Sequence, residues 1–311
     1  MAQKKLVADK ITIAITTYKR VDYFEEALNC AVNQTVECPI LVIDDHSPHN
    51  QFEEIVRQKN NPNITYIQNP SNIGMVETWN RCIDLCQTEY LTILHDDDLL
   101  HPCFIAHCYE VLQKINNPDC CIVVSSIIEN APGDFLETKP STGYQLQKFK
   151  TKYFLLSGIS PFNGVVFPVT VAKKIHGFNE KFHPSSDFDF WIRLSRQIDI
   201  YKSSYVYAFY RQSIHQESST VYAVILNQTY EIRKNMYPSL NCFLFFSFAW
   251  GIYGSYRYYM KTYQVNFNPD EVITDRKLRR WVTLLYKTDK GIMHYFYTFL
   301  HKVYCFLILK I

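Results

Sequence analysis

The chain has 311 residues, enough for a sizeable core in one large domain or two, and its 47% hydrophobic and 20% charged content is that of a globular protein. A formal net charge of +2 gives the whole chain no nucleic-acid-binding character, so no nucleic-acid partner is expected, and no stretch reaches the ~20 apolar residues needed to span a bilayer. The charge is uneven, however: Arg257 to Ile311 carries ten Lys/Arg against four Asp/Glu, a basic tail on a mildly acidic body.

Taken in chain order, the first hundred residues alternate between two periods. Ile11-Thr12-Ile13-Ala14-Ile15 alternates like a strand, and Phe24, Leu28, Ala31 and Val32 then recur at helical spacing. Pro39-Ile40-Leu41-Val42-Ile43 is a continuous apolar run, as expected of a strand buried on both faces. A short polar helix over Gln51–Gln58 leads to a third strand, Ile64-Thr65-Tyr66-Ile67. Val76, Trp79, Ile83 and Cys86 mark the next helix, and Tyr90-Leu91-Thr92-Ile93-Leu94 the fourth strand. Strand–helix–strand at this spacing predicts parallel strands with right-handed crossovers. The ten cysteines include no C-x-x-C pair, and Cys82, Cys86, Cys108 and Cys242 sit in apolar stretches. Reduced, buried thiols of a cytosolic protein are expected, with neither disulfides nor zinc. Met1–Lys10 is short and polar, without the pattern of a secretory signal.

Ligands of open parallel sheets bind at the carboxyl ends of the strands, and there the polar residues collect. The first strand ends in Thr16-Thr17-Tyr18-Lys19-Arg20 and the second in Asp44-Asp45-His46-Ser47. After the third comes Asn69-Pro70-Ser71-Asn72-Ile73-Gly74, where Gly74 can supply a turn and Ser71 or Asn72 can cap the following helix. The fourth ends in His95-Asp96-Asp97-Asp98. Three consecutive carboxylates closing an apolar strand repel one another, and the usual relief is a hard divalent cation, which also binds phosphate oxygens. The triplet thus points to a metal-bridged nucleotide diphosphate, with a solvated acidic turn as the plainer reading. There is neither G-x-G-x-x-G nor G-x-x-x-x-G-K-S/T, so no glycine-rich loop cradles phosphate.

In order and spacing, Ile15–Arg20, Val42–Ser47, Asn72-Ile73-Gly74 and His95–Asp98 resemble the successive motifs of the inverting family 2 glycosyltransferases, over roughly residues 10–220. His46 stands where the second motif usually has glycine, and His95 is the first residue of the usual D-x-D-D. The resemblance implies a GT-A fold, a Rossmann-like nucleotide-binding three-layer α/β/α mixed sheet. It implies that Thr16, Tyr18 and Asp45 hold the nucleotide base, that Asp96 lies near the ribose, that Asp97 coordinates Mn²⁺ or Mg²⁺, and that Asp98 is a further metal ligand or supports the first.

In the second half, Pro161–Pro168 is a strand leading into a short helix, followed by Ile175-His176-Gly177-Phe178-Asn179-Glu180, similar to the family's G-G-F-D/N-E turn. Ser185–Leu194 resembles the E-D-x-D-L-W-x-R-L helix, with Ser186 in place of the glutamate and Asp187 at the position of the catalytic base. A base there would take the acceptor hydroxyl's proton during in-line attack; the plainer role for Asp187 is to cap its helix. Phe188 and Trp191 are expected in the core. Tyr210–Ser218 is similar to the family's Y-R-x-x-x-H-x-x-S segment, in which His215 would add a metal or diphosphate contact.

From Val221 the resemblance fades. Phe296, Phe299, Leu300, Val303, Phe306 and Leu307 fall on one helical face, and Arg276, Lys277, Arg279 and Arg280 form a basic cluster nearby. Such stretches suit a helix lying in a membrane interface, against the alternative that they pack on the catalytic domain or a second copy. The expectation is a catalytic domain over 1–220 and an aromatic, basic helical extension over 221–311. The enzyme would be cytoplasmic and peripheral on the inner membrane face, moving a sugar from a nucleotide-sugar donor, a UDP-sugar above others, to a hydroxyl of a growing, lipid-linked polysaccharide. The rivals are a nucleotidyltransferase of related fold and a non-catalytic, membrane-associated nucleotide-sugar-binding module.

Overall fold

The computed structural model describes residues 10–115, 117–139, 143–149, 151–155, 162–212, 217–236, 242–263, 268–288 and 292–309. The chain divides into two compact units. One takes in Met1–Phe149, Ile159–Lys181 and Arg193–Gln212; the other takes in Lys150–Gly158, Phe182–Ile192 and Ser213–Ile311.

The first unit is built on a nine-stranded mixed sheet: β1 (Ile11–Thr17), β2 (Ile40–Asp44), β3 (Ile64–Gln68), β4 (Tyr90–His95), β5 (Leu99–Leu100), β6 (Cys120–Glu129), β7 (Leu146–Phe149), β8 (Val165–Pro168) and β9 (Asp199–Arg211). Its order is β3-β2-β1-β4-β8-β6-β9-β5, with β7 added beside β9. The first four strands are parallel, as their alternation with helices predicts, and Thr16 pairs with both Ile43 and His95 while Asp44 pairs with Thr17 and Gln68. Their carboxyl ends therefore share one edge. β8 enters antiparallel to β4 and β6, and β6 then runs parallel to β9 across two register shifts.

Helices α1 (Phe24–Val32), α2 (Gln51–Gln58), α3 (Met75–Leu85), α4 (Phe104–Ile115) and α5 (Val169–Lys174) follow in chain order. Ile11, Ile13 and Ile15 join one cluster with Phe24 and Leu28 of α1, Phe52 of α2, and Phe104 and Cys108 of α4. Phe52 is the one buried residue of the polar helix α2, meeting the Phe24 ring edge-on at 4.9 Å. The alternate side chains of β1, Thr12 and Ala14, face the other way, toward the side on which α3 packs against β1, β2 and β4. Burial on both faces is what the unbroken apolar runs of β1 and β2 encode.

Seven thiols, Cys30, Cys38, Cys82, Cys86, Cys108, Cys120 and Cys121, are free and buried, and Cys103 is half-buried. Burial pushes Cys30 and Cys38 up to about 12 and Cys120 up to about 11.

The second unit is helical: α7 (Glu217–Met236), α8 (Cys242–Tyr263), α9 (Pro269–Val272), α10 (Arg276–Thr288) and α11 (Ile292–Leu309), with the boundary between units falling inside α6 (Ser186–Ser195). Leu226, Tyr230, Ala249, Ile252, Tyr256, Leu278, Val282 and Leu285 form its core. Asp275 opens α10 by accepting from the Lys277 and Leu278 N–H groups at 3.0 and 2.9 Å. Leu278, Val282 and Leu285 turn that helix inward, so the apolar stripe of α10 is spent on the core, while Arg276, Lys277, Arg280 and Lys287 are exposed. On α11 the Tyr297 ring packs on Phe246 and Trp250 at 6.0 and 5.6 Å, and the opposite face is bare, with Tyr295 75% and Phe299 62% exposed. No helix among the described residues is long and apolar enough to cross a membrane.

Gly164 is required by contact with two neighbouring strands. Gly164, at φ +77°, precedes β8, and a Cβ there would lie 2.6 Å from Ala208 Cβ and 2.8 Å from Val124 Cγ2. Gly164→Ala combines a left-handed backbone with overpacking and is expected to destabilise by roughly 2–5 kcal/mol. Urea unfolding reads this directly, and a loss under ~1 kcal/mol would show that β6 and β9 yield around the new methyl.

Candidate active site at the carboxyl edge of the sheet

The second strand ends in a turn organised by Asp44. Its buried carboxylate accepts from the Ser47 N–H at 2.9 Å, Tyr66 Oη at 2.8 Å and Gln68 Nε2 at 3.1 Å. Ser47 Oγ then accepts the Lys19 N–H at 2.9 Å, joining the loops after β1 and β2. Within this turn His46 sits at φ +64°, the left-handed conformation that makes glycine usual at the position, and its Nδ1 lies 3.0 Å from the Asn69 carbonyl oxygen. His176 (φ +63°), before Gly177 (φ +61°), repeats the pattern. Both histidines thus keep the backbone shape of the glycines they replace.

Asp45 points the other way. Its carboxylate accepts from Asn69 Nδ2 at 2.8 Å and from the Ile73 and Gly74 N–H groups at 2.9 Å each. It fastens the Asn69–Gly74 loop and supplies the anchor at the start of α3 that the sequence assigns to Ser71 or Asn72. Neither of those side chains caps the helix, whose preceding residue is Gly74 at φ +88°. Thr16 is half-buried at the end of β1, and Tyr18, 38% exposed, lies beneath Lys19 Nζ at 4.6 Å from its ring.

The acidic triplet has cationic partners that the sequence reading leaves out. Arg20 donates to Asp97 Oδ2 at 2.6 Å and to Asp96 Oδ1 at 3.3 Å. Thr17 Oγ1 donates to Asp96 Oδ2 at 2.8 Å. From β9, Arg211 gives its N–H to Asp98 Oδ1 at 2.9 Å, its Nε to the Asp97 carbonyl at 2.9 Å, and a terminal nitrogen to Glu26 at 2.6 Å. Its guanidinium also stacks 4.1 Å over Tyr23. Relief of the like charges therefore comes in part from guanidinium, beside the divalent cation that the sequence reading gives as the usual relief. Arg20 stands in the first motif as a visible signal; Glu26, on a helix far from Arg211 in sequence, carries none.

Compensation is incomplete. Burial, and Asp97 beside it, push Asp96 up to about 6 against the Thr17 and Arg20 bonds. Asp98, wholly buried, is raised well above the carboxylate range by burial and then by Asp97. Its Oδ2 has no hydrogen-bond partner among the described residues, and neither has His95 Nε2. His95 Nδ1 is 3.9 Å from that Asp98 oxygen, and its ring stacks on Trp79 and Phe162 at 5.6 and 5.0 Å. Burial lowers the His95 pKa, favouring the neutral imidazole that a metal requires. One ligand atom each from His95, Asp97 and Asp98 falls within 4.8 Å of the others. Two carboxylates, an imidazole and unpartnered buried atoms fit a divalent cation such as Mn²⁺ or Mg²⁺.

Thr16, Tyr18, Asp45, Asp96, Asp97 and Asp98 all lie at the carboxyl edge of the parallel strands in the first unit. Asp187 belongs to the second, in the first turn of α6, where its Oδ1 accepts the Phe188 N–H at 2.7 Å. Burial pushes its carboxyl up to about 6 against bonds from the Phe188 and Asp187 N–H groups. Phe188 and Trp191 are buried, as expected of core residues. Downstream, Arg193 donates to the Ile175 and Gly177 carbonyls at 2.6 and 2.7 Å, clasping the His176-Gly177 turn. His215 lies outside the described residues.

Known proteins share this fold. The chain is 28% identical over 194 residues to an uncharacterized glycosyltransferase of Rickettsia conorii, a match covering 61% of this chain and 32% of that relative, so the chain spans about a third of its length. The fold is that of S. aureus TarS residues 1–349 in complex with UDP, at TM-score 0.61 and 14% identity over 90% of this chain and 92% of that one. It is likewise that of the mannosyltransferase PcManGT from Pyrobaculum calidifontis in complex with GDP-Man and Mn²⁺, at TM-score 0.57 and 13% identity over 95% and 86% of the two chains. These neighbours are GT-A glycosyltransferases, and the mixed α/β sheet is of that type. With the model of the glycosyl transferase family 2 matching residues 12–170, just over half of its length, the chain belongs to that family.

Proposed function

We propose that this chain is an inverting, metal-dependent glycosyltransferase that moves a sugar from a UDP-sugar to a hydroxyl of a growing, lipid-linked polysaccharide. The observation that carries the reading is the half-compensated acidic end of β4, where His95, Asp97 and Asp98 converge with buried atoms left unpartnered. A cation held there would neutralise charge on the departing diphosphate. Thr16, Tyr18 and Asp45 take the base and Asp96 the ribose. Three N–H donors already occupy the Asp45 carboxylate, leaving one lone pair for a base N–H. TarS in complex with UDP supports a uridine donor, and PcManGT in complex with GDP-Man and Mn²⁺ supports the metal.

Asp187 is the base. A carboxyl near 6 is well matched to accepting a hydroxyl proton close to neutrality. It acts only when deprotonated, so activity rises with pH through about 6 and is lost below it. Asp187→Asn is expected to cut kcat by roughly 10²–10⁴ while UDP binding persists. A variant with full activity, or a wild-type rate flat between pH 5 and 8, would sink this assignment. Asp97→Asn should abolish Mn²⁺-dependent UDP binding by calorimetry, and release of pyrophosphate instead of UDP would mark a nucleotidyltransferase.

The second unit, we infer, brings the enzyme to an anionic membrane surface. Support comes from the bare face of α11, where Tyr295, Phe296, Phe299, Leu300 and Val303 are all exposed, and from the cationic face of α10. Phe246 links the two, its ring 5.9 Å from Trp281 on α10 and 6.0 Å from Tyr297 on α11. The full chain should float with vesicles of phosphatidylcholine and phosphatidylglycerol but not with phosphatidylcholine alone. Phe296→Ser combined with Phe299→Ser should leave it in the aqueous fraction; flotation unchanged by that pair would remove α11 from the contact.

A further inference from the structure

Two guanidinium groups serve the acidic cluster, and they are built differently. Arg211 is fixed: its side chain is 6% exposed, stacked on Tyr23, and bonded to Glu26 and to the Asp97 carbonyl. Arg20 is 39% exposed on its side chain, and among the described residues its guanidinium bonds only Asp96 and Asp97. It leaves the backbone one residue after Lys19, which is at φ +60°, in the loop that closes β1. Burial opposes its charge, but Asp97 and then Asp96 outweigh this and hold it above its ordinary value. Its contact with Asp97, at 2.6 Å, is made to a carboxylate that the metal site needs.

A guanidinium and a divalent cation repel strongly at such range, so both cannot sit on Asp97 at full strength. We infer that Arg20 is a displaceable counter-cation. It neutralises Asp96 and Asp97 until a nucleoside diphosphate draws it away, and only then does Asp97 become free for the metal. The inference rests on the metal reading above. A diphosphate offers the guanidinium fork a bidentate partner, whereas here one nitrogen is split between two carboxylates, and Asp96 already accepts from Thr17. Metal and donor then bind with positive coupling, each raising the other's affinity by the same factor. Metal alone binds poorly, so the cluster does not fill before a donor is present. In this account Arg20 is a positioning residue.

The test is titration of the full-length protein with Mn²⁺, following the electron paramagnetic resonance signal of free Mn²⁺, with and without UDP. Arg20→Gln should bind Mn²⁺ in the absence of UDP at least about tenfold more tightly than wild type, because the competing charge is gone. The enhancement of Mn²⁺ binding by UDP should shrink in the same variant, and Arg20→Lys, which keeps the charge, should restore weak binding of Mn²⁺ alone. Arg20→Met serves equally where the glutamine variant loses its fold. A merely structural arginine predicts the opposite sign, since loosening the turn would weaken Mn²⁺. If wild type binds Mn²⁺ with UDP but Arg20→Gln gains nothing without it, the exchange is overturned and the metal site stands. If wild type binds no Mn²⁺ under either condition, the metal reading falls and the exchange with it.

Discussion

A carboxylate without access to water, Asp98, ties the end of β4 to the end of β9 through the Arg211 N–H, and much of the first unit is arranged around that bond. Burying a charge is costly unless it is paired and hydrogen-bonded. Here compensation is distributed: a backbone N–H for Asp98, a threonine hydroxyl and guanidinium for Asp96, guanidinium for Asp97. Arg211 extends the tie to α1 through Glu26 and Tyr23. The sheet thereby gains a long-range fastening between its N-terminal parallel half and the strand that arrives a hundred residues later. The same fastening holds three carboxylates at an edge where a phosphate-bearing ligand could meet them.

The parallel half was readable because its physics is local. β1, β2 and β4 are short apolar runs, the helices between them carry a single buried stripe, and Phe52 is the sole anchor of an otherwise polar helix. The other half was harder. β6 pairs with β9 across register shifts, and neither periodicity nor turn chemistry announces a partner some eighty residues away. The site divides the same way. The hydroxyls and carboxylates that end each strand could be read from their positions; their partners could not. Asp45 fastens a loop more than twenty residues downstream, and His95 stacks on Trp79 and Phe162, contacts that only the folded chain brings about.

His46 and His176 show how a motif tolerates a changed letter. What the turn needs is a backbone at positive φ, and histidine is among the side chains that reach it most readily. For His46 the Asn69 carbonyl offers the imidazole a partner. Pattern matching that demands glycine would score both positions as losses, although the turns they make are intact.

The buried thiols have a use that follows from their inertness. With Cys30 and Cys38 pushed up to about 12, folded protein offers alkylating reagents almost no thiolate from these positions, and half-buried Cys103 is the accessible exception among the described cysteines. The buried thiols are spread over α1 (Cys30), α3 (Cys82, with Cys86 just after it), α4 (Cys108) and β6 (Cys120 and Cys121), with Cys38 just before β2. Their labelling rates under native conditions would report how often each element opens, giving a map of local stability across the sheet with no substitution introduced.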